Sequence, residues 1–352
     1  MTSQTDRPAL GDPGAVPPPQ PDRAAARRML LAPTLLGLFL VLAFAGLTIP
    51  ALQNPTPKDL PVGVVGPPEA GRQLSAQLGR ENADAFDVET YASADRAREA
   101  ILEQEILGAF VLEPGRPPSL LLAGAAGDAP TRALETAYEK VTEALGATGT
   151  VENVAPLPEE DARGISGFLL CVALVIGALL FQAVLSLLAA RLPARARFLV
   201  GAGYAVIAGL VGAVLAGPVI GALTGNFLQL AGIAVLLSLA VVGIVAACQS
   251  LLGVLGVAVG ALIVLPLGVS SSGGPVEYHF LPEFYSTISQ YLPMGATVTL
   301  LRRVFYFDGN SIAAPLLALA GWTVAAWLIA LVMERIRPYR PAVLVLPVGR
   351  AG

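Results

Sequence analysis

Histidine and cysteine are almost missing from this sequence. There is one histidine, His279, and there are two cysteines, Cys171 and Cys248, in 352 residues. So few ligands leave no Cys/His metal cluster and no disulfide framework, and most redox, zinc and histidine-dependent nucleophilic chemistry goes with them. Lysine is as scarce. Lys58 follows Pro57 and Lys140 follows Glu139, so neither stands in the Gly-Lys-Ser/Thr of a phosphate-binding loop, and the chain does not hydrolyse ATP by that route. Twenty arginines beside two lysines is the usage expected of a GC-rich bacterial genome. Charge is short overall: charged residues make up 14%, hydrophobic residues 55%, and the mean hydropathy is +0.67, where a soluble domain carries about 25% charged residues. The deficit is concentrated in long uncharged runs, and the chain reads as an integral membrane protein.

A helix rises about 1.5 Å per residue and the hydrocarbon core is about 30 Å thick, so a crossing needs about 20 apolar residues. Met29 to Ile49 is the first expected span, opening after Arg23, Arg27 and Arg28 and closing at Pro50. Gly164 to Ala190 is the second. Phe198 to Val276 holds no charged residue and has room for three, divided at Thr224-Gly225-Asn226 and near Gln249-Ser250. Ser311 to Met333 is the last. Arginines cluster in the N-terminal tail, between spans two and three (Arg191, Arg195, Arg197) and after span six (Arg335, Arg337, Arg340). Six spans put all three clusters on one face. The positive-inside rule makes that face cytoplasmic, so the expected location is the bacterial cytoplasmic membrane with both termini cytoplasmic. A rival reading of the first span is a signal peptide cleaved at Ala43-Phe44-Ala45, which leaves the remaining topology unchanged. Residues 1–28, with Pro17-Pro18-Pro19, read as a disordered cytoplasmic tail, and 334–352 as a second tail.

Residues 50–163 carry a different pattern. Val62, Val64 and Val65 mark a strand; Ala70, Leu74 and Leu78 form a helical stripe; Phe86, Val88 and Thr90 alternate. Ser93 can cap a helix bearing Ala97 and Ile101. Ile106 to Leu112 and Leu120 to Leu122 read as strands, and a helix entered at Pro130 puts Leu134, Tyr138, Val141 and Leu145 on one face before Gly146 stops it. The expected fold class is therefore an α-helical membrane protein, six transmembrane helices with an extracytoplasmic α/β domain between the first and second. From Pro50 to Arg163 there are 19 acidic and 9 basic residues, about −10, leaving +6 elsewhere to reach the net −4. Such an excess serves solubility, or attracts a cationic ligand or basic partner. Its carboxylates form no catalytic constellation.

Within the five-helix bundle, 164–333, no span holds an ionisable residue of the kind that ion-coupled carriers keep inside the bilayer. The polar side chains there, Gln182, Ser186, Tyr204, Gln229, Ser238 and Gln249, suit helix packing, as do the GxxxG pairs Gly217/Gly221 and Gly256/Gly260. Residues 277–309 are the most unusual stretch. Glu277-Tyr278-His279-Phe280 leads to a helical run, Glu283 to Tyr291. A second short helix then opens at Pro293-Met294-Gly295 and runs toward Arg302, Arg303, Tyr306 and Asp308. Apolar, aromatic and double-arginine content together read as an interfacial or re-entrant segment, against the simpler reading of a plain exterior loop.

Together the features resemble the ABC type-2 permease superfamily, and within it the phage infection protein-like membrane proteins. The resemblance is carried, in order, by Leu60-Pro61-Val62-Gly63-Val64-Val65, by Ser93 to Ile101, by Pro156 to Gly164, and by Tyr291-Leu292-Pro293-Met294-Gly295-Ala296 through Tyr306-Phe307-Asp308-Gly309, and covers the chain from Met29 to Met333. It implies a permease subunit that pairs as a homodimer or heterodimer, works with a separate cytoplasmic ATPase and moves a lipophilic or envelope-associated substrate outward. The chain itself would then be no enzyme, with no cofactor, no metal and no nucleic acid, and the lipid bilayer as its surroundings. Arg191, Arg195 and Arg197 would form the cytoplasmic coupling loop, a seven-residue surface small for docking an ATPase. The alternative is a non-transporting envelope scaffold or surface receptor related to phage infection and type VII secretion accessory proteins.

Overall fold

A computed structural model describes residues 23–78, 84–188, 192–253 and 255–336. The disordered-tail reading of 1–28 falls largely outside them, as do Arg191, Arg337 and Arg340. The chain divides into two units, Met1–Leu42 and Ala43–Gly352. Helix α1, Arg23–Leu52, begins in the first and ends in the second.

The sheet domain begins with β1, Leu60–Val65, and continues through α2, Pro68–Leu78, β2, Phe86–Tyr91, α3, Ala94–Leu102, β3, Gly108–Val111, β4, Ser119–Leu122, α4, Asp128–Leu145, and β5, Thr150–Asn153. Its five strands lie in the order β2-β1-β3-β4-β5, and every neighbouring pair is parallel except β3 and β4. The hairpin between those two registers Phe110 on Leu120. Leu60, Val62, Val64, Phe110 and Leu120 are fully buried, as the apolar runs require. Ser93 caps α3 by accepting from the Arg96 N–H at 3.3 Å, and Gly146 ends α4 in the left-handed region with φ of 59°. Leu134, Tyr138 and Val141 face the core, but Leu145 is 59% exposed, because the helix has by then run past the sheet. Strand β5 was not expected: its four residues are all exposed and polar or isolated apolar, so no alternation announces it. Asn153 holds it by accepting from the Gly124 N–H at 2.9 Å.

The bundle comprises α5, Ser166–Leu188, α6, Ala194–Val214, α7, Phe227–Leu252, α8, Leu255–Leu262, α9, Gly268–Ser271, α10, Glu283–Ser289, α11, Pro293–Tyr306, and α12, Ala313–Ile336. Helix α7 is the centre, packed by α5, α6, α8, α11 and α12. Among the described residues four helices are long and apolar enough to cross a membrane: Ser166–Leu188, Arg195–Val219, Phe227–Leu252 and Ala313–Ile336. Two expected spans appear as shorter apolar helices, Gly37–Leu52 and Leu255–Ser271. The break expected near Gln249-Ser250 falls instead at Gly253, whose φ is 63°, while the break before Asn226 lies where the sequence puts it, with the Asn226 carboxamide accepting from the Leu228 N–H at 3.0 Å. Two π-helical turns, Leu215–Val219 and Ile263–Leu267, each contain a proline, Pro218 and Pro266. A proline lacks the N–H for the i−4 carbonyl, and the widened turn absorbs the misfit.

The chain is thus mainly helical, with a small five-stranded sheet and the helices of a membrane protein.

Candidate functional site

Two polar clusters stand out, one at each end of α5. Ser166 and Ser186 mark those ends, about 30 Å apart along a helix.

The first joins the sheet domain to the bundle. Helix α5 opens with unpaired backbone N–H groups, as every helix does, and Asp161 supplies the acceptor. Its Oδ1 takes hydrogen bonds from the Ile165 and Ser166 N–H groups, each at 3.1 Å, and from the Ser166 hydroxyl at 2.7 Å. Its Oδ2 takes the Tyr306 hydroxyl of α11 at 2.5 Å. Asp161 is 4% exposed. Burial, then the bond to Asp161 and its charge, push the Tyr306 phenol upward, so it stays a donor. Glu277, equally buried, accepts from the His279 N–H at 2.8 Å and lies 3.1 Å from its Nδ1. Arg302 feels the charge of both carboxylates. Burial lowers its pKa, and Glu277, Tyr306, Tyr278 and Asp161 oppose that shift. Its Nη2 donates to the Gly273 carbonyl at 3.2 Å.

The same segment clasps the sheet domain. Phe280 and Phe307 are buried within the sheet's own apolar core. The Arg303 Nε donates to the Gln104 side-chain oxygen at 2.9 Å, Asn310 Nδ2 to the Leu102 carbonyl at 3.3 Å, and the Lys58 N–H to the His279 carbonyl at 3.0 Å. Pro293 is the first residue of α11 and Gly295 lies against the Ser289 carbonyl, where a side chain would collide. Asp308 is exposed in the turn after α11, with φ of 52°. Of the residues picked from sequence, the fold therefore gathers Arg302, Arg303 and Tyr306 into one junction and leaves Asp308 on its rim. Asp161 and Glu277 were missed as site residues. The spacing of Asp161, five residues ahead of the helix start at Ser166, lies outside the ordinary capping pattern, so no local signal marks it.

The second cluster lies at the far end of α5. Arg197 donates to Glu334 at 2.8 Å, with both side chains largely buried. Gln182 Nε2 donates to the Val242 carbonyl at 2.8 Å, Ser186 Oγ to the Gln182 carbonyl at 2.6 Å, and Gln249 Nε2 to Ser186. A cavity of about 50 Å³ lies among these groups, room for a water or two. Two residues of the expected coupling loop can be placed. Arg195 and Arg197 belong to the first turn of α6, because Pro193 with φ of −61° is preset to precede a helix. Arg195 is exposed, Arg197 faces inward to Glu334, and Arg191 lies outside the described residues.

Among the described residues no group of three or more His, Cys, Asp or Glu could hold a metal ion. The junction joins buried and half-buried polar groups across elements distant in sequence, Asp161 to Tyr306 and Arg303 to Gln104, an arrangement suited to holding the sheet domain and the bundle in one register. Compared with protein-family models, curated proteins and solved structures, the chain gives no match.

Proposed function

We propose that this chain is the membrane subunit of an ABC type-2 exporter-like system, moving a lipophilic or envelope-associated substrate outward with ATP hydrolysis supplied by a separate subunit. In this reading it crosses the bacterial cytoplasmic membrane six times, with both termini cytoplasmic and the sheet domain outside.

The observation that carries the reading is the junction at Asp161 and Arg302. Asp161 before α5 touches Tyr306, and Arg302 touches Gly273, so the start of α5 and the segment after α9 share one end of the bundle. If α5, α6 and α7 each cross, the chain returns to that end only if Leu255–Ser271 crosses too. Seventeen residues is the lower limit for a span. Ser186, Arg197, Gln249 and Glu334 gather at the opposite end, and the arginines that follow α5 and close α12 in sequence, Arg195, Arg197 and Arg335, are of the kind that the positive-inside rule assigns to the cytoplasm. An outside domain pinned to a buried helix between spans is a means of coupling substrate access to bundle movement.

Affinity purification of the tagged chain from native membranes tests this. The expected result is a soluble ATPase held in stoichiometric amount, whose hydrolysis rises with the chain present. Flux of a lipophilic dye driven by a proton gradient, with no ATPase in the vesicle, would reject it. A second reading, a non-transporting scaffold or receptor, is favoured by the short α5–α6 connection. Since α6 begins at Ala194, Arg195 and Arg197 belong to a helix and leave little free loop for docking. Repeated purification without any ATPase would decide for that reading.

A further inference from the structure

A cavity of about 230 Å³ opens between α10, α11 and the start of α12. Its polar wall is Ser286, Gln290, Thr299 and Arg303, and its floor toward α12 is Ala314 and Ala318. At about 30 Å³ per water, it would hold some seven waters, the size of a lipid headgroup and far less than a whole lipid. We propose that it binds the phosphate-bearing headgroup of an anionic phospholipid, with Arg303 as the cation that receives it.

Three independent observations converge. The first is the state of Arg303. Its Nε and Nη1 donate to Gln104 and to the Ser311 carbonyl, which fixes the guanidinium plane while using two of its five donors. Among the described residues no carboxylate pairs with it. A fixed, half-buried guanidinium with no acidic partner is built for an anion from outside the chain. The second is the neighbouring surface. Tyr278, Phe284 and Tyr291 are 43%, 59% and 63% exposed, and aromatic side chains of this kind gather at the headgroup level of bilayers. The third is where an acyl chain would go. Ala314, Ala318 and Gly321 lie one turn apart on α12 and leave a shallow track, with nothing within 4 Å of where a Gly321 Cβ would stand. Leu317, Val324 and Leu328 are 71%, 59% and 55% exposed along the same helix. The headgroup would sit in the cavity while the tail follows that helix into the hydrocarbon.

The proposal requires α12 to lie in a bilayer, and it does not require transport or an ATPase. Native mass spectrometry of the detergent-solubilised chain, after exposure to vesicles of phosphatidylglycerol or phosphatidylcholine, gives the test. Wild type should retain phosphatidylglycerol at least fivefold more than phosphatidylcholine, and 10 mM inorganic phosphate should not displace it. Arg303→Gln should abolish the preference. Because Arg303 also holds Gln104, a second variant, Ala318→Phe, fills the cavity with the arginine intact and should lose the same adduct with unchanged thermal unfolding. Arg335→Gln, far from the cavity, should retain it. Equal retention of the two lipids by wild type, an adduct that survives Ala318→Phe, or displacement by phosphate alone would overturn the proposal. Lipid retention without any co-purifying ATPase would leave this site standing and reject only the exporter reading.

Discussion

Asp161 concentrates more hydrogen bonds than any other carboxylate at the junction. Four donors converge on it: two backbone N–H groups, the Ser166 hydroxyl and the Tyr306 hydroxyl. A carboxylate at a helix N-terminus is also favoured by the helix dipole. Removing it leaves buried donors unpaired, each costing about 1–3 kcal/mol unless water replaces the acceptor. Asp161→Ala is therefore expected to destabilise the chain by about 2–4 kcal/mol, read as a loss of thermal stability in detergent. Tyr306→Phe should cost less, since it removes one bond and leaves three. In a double-mutant cycle the two should couple by about 1–2 kcal/mol. Strict additivity would mean that the Tyr306 contact contributes nothing to the fold.

Between elements, glycines set how closely helices approach, and their placement separates what the sequence pattern reveals from what it hides. A Cβ on Gly209 of α6 would stand 2.5 Å from the Val235 backbone of α7, and one on Gly243 of α7 2.8 Å from the Trp327 ring of α12. On Gly295 it would collide with the Ser289 carbonyl. Gly209→Ala and Gly295→Ala should each cost about 1–3 kcal/mol, the usual penalty of overpacking. Gly232→Ala, where nothing lies within 4 Å, should be neutral or stabilise α7 by up to about 1 kcal/mol. Parallel melting curves of the three variants check this, and a shared response would mean that helix propensity, not close approach, governs these positions. Neither Gly209 nor Gly243 was singled out from the sequence. Of the pairs picked by spacing, Gly256 and Gly260 face α7, and Gly217, though in a π-helical turn, also lies against Leu230 of α7, while Gly221 falls in the loop beyond. A four-residue spacing marks a face for close approach but does not name the partner helix distant in the chain. The same limit hid the Asp161–Tyr306 and Arg197–Glu334 contacts, which span more than a hundred residues. Local signals were legible: the Ser93 cap, the Gly146 stop, Pro293 opening α11 and the β1 to β4 apolar runs all follow from chemistry within a turn or two. Strand β5 was not, because it borrows its place from β4 and buries nothing of its own.

At the scale of the whole molecule, the contacts at the two ends of α5 impose a parity on the crossings. The sheet domain touches the segment after α9 through Lys58, Gln104 and Leu102, so both occupy one side of any membrane that α5 to α7 traverse. The loop after α6 joins them, since Gly221 approaches Glu160 and Gly225 approaches Phe305. Single cysteines in a chain with Cys171 and Cys248 replaced by alanine convert this into accessibility. Arg132→Cys in α4 and Asp308→Cys after α11 should react with an impermeant thiol reagent added outside intact cells. Arg195→Cys in α6 should react only after permeabilisation. The informative position is Leu252→Cys, at the end of α7 and 52% exposed. Three crossings from Asp161 put it on the Arg195 side, and the Leu255–Ser271 helix must then carry the chain back across the bilayer. Labelling of Leu252→Cys from outside, with Arg132→Cys also labelled from outside, would mean that one of α5 to α7 does not cross and that the short helix lies within one leaflet.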